Sequence, residues 1–412
     1  MKKFHEDWVV VALGFLIIFI TLIGFSAPLP AYSWNNFSDL QSKILSPGNI
    51  IQLFWQLLFI GVIALLGHLA TGKSLRHFFP VFITVYLISI LAIVLAGNKQ
   101  VKTVNLEAVI FSLGIGLLIG NIFKLPKWFR ETLSTELFVK IGLVLLGTSI
   151  IFSDLMKAGS LGMIQALLVV VSVWYFAFWL CRKLNIDKEM SLMISSAVSI
   201  CGVSAAIATA GAIKGDSKKL SYVISLVLVT AIPMMLGMPY LAQLMGLSQE
   251  VTGAWLGGSI DTSGAVVASG SLVGDVALKI STIVKFSQNV LLGIAAFAIS
   301  IYWTLNKNTS QQDYEKPGLR LIWQRFPKFV LGFIFASILF SFFVSPEKII
   351  VVKDSLKNIQ TLWFVLAFTS IGLETNFADL LSNENRKPLI AFLIAQFFNI
   401  IITLILAYFL FR

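Results

Sequence analysis

Uninterrupted apolar runs recur along the whole 412-residue sequence. Most of them are about 17–25 residues long, which is enough for a helix to cross the hydrocarbon core of a bilayer. Charged residues make up only 12% of the chain, against about 25% in soluble proteins. This combination excludes a soluble globular protein. It predicts an all-α polytopic membrane protein surrounded by the lipid bilayer.

The charged residues lie mostly in the connections between these runs. Thirty-one Lys and Arg residues against 20 Asp and Glu residues give a net charge of +11. In a membrane protein such an excess is typical of cytoplasmic loops rather than of nucleic-acid binding. A cytoplasmic N-terminus places most of these cations on the inner side, so we expect that orientation and no nucleic-acid partner.

Two of the thirteen apolar segments, 189–213 and 251–274, are rich in small residues. They contain SSAVSICGVSAAIATAGAI from residue 195 and GGSIDTSGAVVASGSLVG from residue 257. Small residues let helices approach closely, so tight helix packing is one interpretation. The other is a helix that breaks inside the membrane, which requires surrounding protein or a water-filled cavity.

An internal repeat favours the broken helices. The pattern S-[AG]-A-[IV]-x₃-G-x-[IL]-x-G-D begins at Ser204 and again at Ser263, and TSI…FSDL at 148–155 is echoed by TSI…FADL at 369–380. Internal symmetry with interrupted apolar segments is the sequence signature of a secondary transporter. We therefore expect about 11 transmembrane helices plus two oppositely directed re-entrant or broken segments, in an inverted-repeat arrangement.

The same symmetry predicts the domain organisation. We expect a single integral membrane domain over residues 1–412, with N-terminal helices in 1–105. The first motif-bearing half covers 106–244 and contains the broken segment 189–213, and the second half covers 251–412 and contains the broken segment 251–274.

The two breaks are the expected binding site. A broken helix exposes backbone amides, and the N-terminus of a half-helix attracts anions. The first break is expected near Cys201, Gly202 and Ser204, and the second near Ser259, Thr262 and Ser263. Their hydroxyl groups and free amides suit a small oxyanion, or an ion and an anion together.

Asp261 is the most informative single residue of this region. A carboxylate at bilayer depth costs roughly 2.5–3.5 kcal/mol or more, so it is functional by default. It can carry a proton, bind Na⁺ or pair with Lys285. The alternative is a neutral side chain that caps a half-helix through the amides of Thr262 and Ser263. We assign ion coupling to Asp261.

Lys285 and Lys140 are the two lysines inside predicted segments. Lys285 either attracts an anionic substrate or extends to the interface, and Asn289 and Gln288 are expected to face the same cavity. Lys140 lies close enough to a loop for its ammonium group to reach the interface.

The sequence is similar to the YeiH-type sulfate exporter family of bacterial membrane proteins. The resemblance rests on KIGLVLLGTSIIFSDL (140–155), ICGVSAAIATAGAIKG (200–215), GGSIDTSGAVVASG (257–270) and VKFSQNVLLG (284–293). It implies a multi-pass secondary carrier of the bacterial inner (plasma) membrane, related to exchangers built on inverted repeats with broken helices.

Together these features predict an ion-coupled secondary transporter or exporter of a small anion such as sulfate, a sulfonate or a carboxylate. Na⁺ or H⁺ is the expected coupling ion, with no other cofactor and no metal site. A Na⁺/H⁺-type cation antiporter is the first alternative, and an ion channel or an intramembrane hydrolase is a further one. The hydrolase lacks a base, because all three histidines (His5, His68 and His77) lie near the N-terminus. We therefore expect no enzyme. The oligomeric state stays open, a homodimer being one alternative.

Overall fold

The computed structural model describes residues 5–25, 28–103, 108–150, 152–213, 215–306, 323, 327–375 and 386–412. In chain order the helices are α1 (Glu6–Leu22), α2 (Phe37–Asp39), α3 (Pro47–Ala70), α4 (Phe78–Ala96), α5 (Lys99–Thr103), α6 (Ala108–Ile122), α7 (Lys127–Thr132), α8 (Thr135–Leu146), α9 (Phe152–Lys183), α10 (Lys188–Ser196), α11 (Val203–Ile213), α12 (Ser217–Leu244), α13 (Gln249–Ser259), α14 (Ser263–Val273), α15 (Asp275–Asn306), α16 (Lys328–Ile338), α17 (Pro346–Glu374) and α18 (Arg386–Phe411). Short π-helical turns, Leu40–Ile44, Ala197–Cys201 and Leu339–Phe343, interrupt or extend this pattern.

The predicted all-α polytopic membrane fold is confirmed. Seven helices of the described ranges are long and apolar enough to cross a membrane. The only β-structure in these ranges is an isolated bridge between Trp34 and Asn98. The expected total of about 11 crossings and the inverted repeat stay predictions. Residues 376–380 of the TSI…FADL copy and the side chain of Asp154 lie outside the described residues.

The chain divides into two compact units. The first comprises Met1–Asp154 and Lys328–Asn376, and the second comprises Leu155–Pro327 and Phe377–Arg412. The boundaries of these two units differ from those of the two halves, 106–244 and 251–412, that the sequence repeat predicts. The two halves stay a prediction from sequence symmetry.

In the first unit, α6 crosses α17 at glycines. A Cβ atom on Gly116 would lie 2.6 Å from the carbonyl oxygen of Thr369, and one on Gly372 would lie 2.7 Å from the backbone nitrogen of Leu117. Only glycine permits this distance between two helix backbones, as in other membrane helix pairs.

Lys140 of the first unit forms ion pairs with three carboxylates, and the expectation that its ammonium group reaches the membrane interface stays a prediction. Its ammonium nitrogen lies 3.0 Å from Glu6, 3.1 Å from Asp7 and 3.5 Å from Glu136. The lysine side chain is only 16% exposed. Three carboxylates therefore hold this cation at the contact between α1 and α8, because a largely buried charge requires opposite charges around it.

In the second unit, Lys219 joins the start of α12 to the start of α10. Its ammonium nitrogen lies 2.7 Å from Asp187 and 3.3 Å from Glu189. Partial burial lowers the pKa of Lys219, but the hydrogen bonds and the attraction of these two carboxylates outweigh that effect. The pKa therefore lies above its ordinary value of 10.5.

Candidate binding site at two hairpin tips

Helices α13 and α14 form a helical hairpin against α15. The side chain of Gln249, at the start of α13, accepts a hydrogen bond from the Ala277 amide at 3.4 Å and lies beside Gly274 at the end of α14. At the other end of α13, the Gln288 side chain donates to the carbonyl oxygen of Gly258 at 3.0 Å. Both hairpin ends therefore lie at the start of α15, and its tip lies further along that helix. We call α13–α14 the second hairpin.

Small residues allow the second hairpin to lie directly on α15. A Cβ atom on Gly257 would be 2.5 Å from the carbonyl oxygen of Ser281, and one on Gly253 would be 2.8 Å from that of Ala277. The small-residue composition of 251–274 thus has a packing role as well as producing the break.

Helices α10 and α11 form the first hairpin, joined by the π-helical turn Ala197–Cys201 and Gly202. The Lys188 ammonium at the start of α10 lies 4.6 Å from the centre of the Tyr302 ring, near the end of α15. The carbonyl oxygen of Ile200, at the tip, accepts a hydrogen bond from Lys285 at 2.8 Å. Met193 contacts Gly215 and so brings the two arms together. This hairpin therefore approaches from the opposite end of α15.

The two tips meet beside Gly202 and Asp261. Gly202 has φ +61°, and a Cβ atom there would lie 3.0 Å from Cβ of Asp261. The Asn399 side chain of α18 donates to the carbonyl oxygens of Val198 at 3.1 Å and Ser259 at 3.2 Å, one from each tip. The second unit therefore contains two helical hairpins that approach from opposite ends of α15 and meet at their tips; whether they are re-entrant in a membrane stays a prediction.

Asp261 and Lys285 are buried charges at this junction, each 1% exposed. Lys285 donates to Ile200 at 2.8 Å and to the side-chain oxygen of Gln288 at 3.0 Å. Asp261 forms no ion pair within 4.0 Å among the described residues. Lys285 thus lies at the carbonyl oxygen of Ile200, in the turn that follows α10, and Asp261 lies just before the N-terminus of α14. Both positions complement the helix dipoles.

Several polar atoms at the two hairpin tips are buried without a hydrogen-bond partner. Within the described residues these are both carboxylate oxygens of Asp261, the hydroxyl of Ser259 and the side-chain oxygens of Gln396 and Asn289. All of them are oxygens. The site therefore offers acceptors for a proton or a cation beside a lysine that can attract an anion.

The predicted site residues are distributed around this junction. Cys201 and Gly202 lie at the first tip, and Ser259 is buried at the second. Thr262 caps α14 by accepting from the Ala265 amide at 3.3 Å, and the hydroxyl of Ser263 accepts from the Asn289 side chain at 3.1 Å. Asp261 itself does not cap the helix.

Ser204 is placed differently from the others. It lies in the first turn of α11, and its side chain is exposed rather than directed into the buried junction.

Three polar residues of the site are not predicted from the sequence, and they are Gln396 and Asn399 on α18 and Gln165 on α9. Gln396 donates to the Ser259 carbonyl at 2.8 Å, and Gln165 donates to the Ala254 carbonyl at 2.8 Å. The available signal is the spacing of Gln396, Asn399 and Thr403 within an otherwise apolar helix, which places them on one face.

Comparison with known proteins identifies similar membrane proteins. The family model described as conserved hypothetical protein 698 matches residues 80–392. The chain is 41% identical to a UPF0324 membrane protein of Rhodopirellula baltica, over 83% of this chain and 64% of that protein. It is 36% identical to a UPF0324 membrane protein of Nitratidesulfovibrio vulgaris, over 85% of this chain and 62% of the relative.

The chain thus spans less than two thirds of the length of these two relatives. A more distant UPF0324 membrane protein of Nitrosomonas europaea is 26% identical, with 91% of this chain and 89% of the relative covered. No solved structure matches the chain.

Proposed function

We propose that this chain, which belongs to the conserved hypothetical protein 698 family of UPF0324 membrane proteins, is a secondary transporter of a small anion. Its substrate class would be sulfate, a sulfonate or a carboxylate, and Na⁺ or H⁺ would be the coupling ion. The bacterial inner membrane and a cytoplasmic N-terminus belong to the same proposal, the latter because of the distribution of Lys and Arg.

One observation carries the proposal: the tips of two helical hairpins meet at buried Asp261 and Lys285. Breaking two helices at membrane depth and burying two charges is unfavourable unless the breaks line a functional cavity. Secondary transporters place their substrate and ion sites at discontinuous helices of this kind.

The two charges have separate roles in this proposal. Lys285 attracts the anion, with the amides and hydroxyls of Thr262 and Ser263 at the start of α14 as further donors. Asp261 binds the coupling ion. Because the two groups lie at the same junction, occupation of one site alters the electrostatic free energy of the other, and that relation is reciprocal.

Counterflow in proteoliposomes tests the proposal. Proteoliposomes that contain the purified protein are loaded with one unlabelled anion. Uptake of labelled sulfate, a labelled sulfonate and a labelled carboxylate into these vesicles is then measured in turn. We expect saturable counterflow of at least one anion, lost in Lys285→Ala and Asp261→Asn. Lys279→Ala, on the same helix α15, is the matched control and retains the flux. Flux that is unchanged in both site variants would show that the assignment is wrong.

A Na⁺/H⁺ cation antiporter is the second candidate, and the unpartnered carboxylate of Asp261 is the observation that favours it. In that case a Na⁺ gradient changes the internal pH of vesicles without any transported anion, and the change requires Asp261. An anion requirement for this pH change supports the anion carrier instead.

A further inference from the structure

Unpartnered oxygen atoms surround the tip of the second hairpin. Asp261 and Ser259 are each 1% exposed, and Gln396 is 3% exposed. Within the described residues, no donor reaches the two Asp261 carboxylate oxygens, the Ser259 hydroxyl or the Gln396 side-chain oxygen. A buried acceptor without a partner costs about 1–3 kcal/mol, and more when it is charged. Four such atoms need a common explanation.

These atoms belong to one place in the fold. The Gln396 amide nitrogen donates to the backbone carbonyl of Ser259 at 2.8 Å. Asp261 lies two residues further along the chain, so the free side-chain oxygen of Gln396 belongs to the same cluster.

The charge of the cluster selects its ligand. A proton on Asp261 supplies one donor and leaves several acceptors unpartnered. Lys285 is already bonded to Ile200 and Gln288. A hard cation is coordinated by oxygen atoms, and the described residues include no group of three or more His, Cys, Asp or Glu side chains for a more highly charged metal ion. A single carboxylate with neutral oxygens matches one positive charge.

We propose that Asp261, the Ser259 hydroxyl and the Gln396 side-chain oxygen bind Na⁺. This inference rests on the proposed function for its role in coupling. Na⁺ neutralises Asp261 and leaves the positive charge of Lys285 uncompensated, which strengthens anion binding at the junction. By linkage, the anion strengthens Na⁺ binding by the same factor.

Direct binding of ²²Na⁺ to the purified full-length protein tests the site without any transported anion. We expect saturable binding that excess unlabelled Na⁺ displaces and choline does not. Asp261→Asn abolishes it. Ser259→Ala, a milder change, weakens it about tenfold, as loss of one polar contact of about 1.4 kcal/mol would.

Ser269→Ala is the matched control. Ser269 is also fully buried with an unpartnered hydroxyl in the second hairpin, but it lies two turns or more from the tip, within α14. We expect its Na⁺ affinity to equal that of the wild type. All variants are first shown to be monodisperse and to melt cooperatively.

Two results would overturn the inference: no saturable Na⁺ binding by the folded wild type, or equal affinity in the wild type, Ser259→Ala and Asp261→Asn. Either result leaves the proposed function separately testable. Counterflow that depends on Asp261 and is driven by a proton gradient would retain the anion carrier and reject only the Na⁺ site.

Discussion

Replacing Gly202 with alanine tests the geometry of the hairpin junction. Gly202 has φ +61°, and its missing Cβ atom would lie 2.7 Å from Cγ1 of Val227 and 3.0 Å from Cβ of Asp261. The backbone conformation costs about 1–3 kcal/mol for a residue with a side chain. The overlap in a packed interior adds about 1–3 kcal/mol.

Alanine also restricts the unfolded chain, which offsets about 0.4–1 kcal/mol of these costs. The net destabilisation is therefore about 2–5 kcal/mol. At about 2–4 °C per kcal/mol for a unit of this size, the melting temperature should fall by about 4–20 °C. The assay is tryptophan fluorescence of the purified protein during heating at one fixed scan rate, since unfolding of such proteins is commonly irreversible.

Substitutions at two other glycines separate the cost of the backbone conformation from the cost of the overlap at Cβ. Gly246 has φ +64° and no atom within 4 Å of its Cβ position, so Gly246→Ala meets only the backbone cost. Gly237 lies inside α12 with open space around it, so Gly237→Ala should leave the protein as stable as before or slightly more stable. If Gly202→Ala melts at the same temperature as Gly246→Ala, the close approach of the two tips is refuted.

Three further predictions concern other contacts. Asn399→Ala removes a donor shared by the two hairpin tips, and we expect a loss of about 1–3 kcal/mol, measured as a lower melting temperature than that of the wild type. Lys140→Met removes the cation that pairs with Glu6, Asp7 and Glu136, and it should cost about 3–5 kcal/mol. Lys127→Met breaks an exposed ion pair and should change stability by less than about 1 kcal/mol. Equal melting temperatures of these two variants would contradict the stabilising role of the ion pairs around Lys140. Lys219 has a raised pKa, so its stabilising effect is complete below pH 10.5 and is lost as the pH rises through the raised value. The difference in melting temperature between the wild type and Lys219→Ala should therefore shrink above pH 10.5, and a difference that grows there would show that the sign is wrong.

The sequence predicts the hairpins because their breaks have local causes. Gly202 adopts a conformation that other residues resist, and Thr262 provides the side-chain cap that starts α14. The small residues of both segments make their close packing possible. Fold class and the position of both breaks therefore follow from local composition.

The partners of the tips do not follow from local composition. Gln396 and Asn399 are far from the hairpins in sequence, and their role depends on which face of α18 packs there. Their i, i+3 spacing marks a polar face but not its neighbour. Lys140 presents the same difficulty, because its carboxylate partners include Glu6 and Asp7 of a distant helix. Ser204 shows the converse: it matches the repeat, yet the turn of α11 leaves its side chain exposed.

Thiol labelling of Cys201 tests the central claim most directly. Cys201 lies at the first tip and is 7% exposed, and Cys181, fully buried, is the only other cysteine of the chain. In a Cys181→Ser background reconstituted in liposomes, a membrane-impermeant reagent should label Cys201. Saturating Na⁺ together with the anion identified by counterflow should slow that labelling at least about tenfold, because the occupied site covers the thiol for more than about 90% of the time. Labelling at the same rate with and without Na⁺ and anion, in protein that carries out counterflow, would contradict a transport site at the hairpin tips.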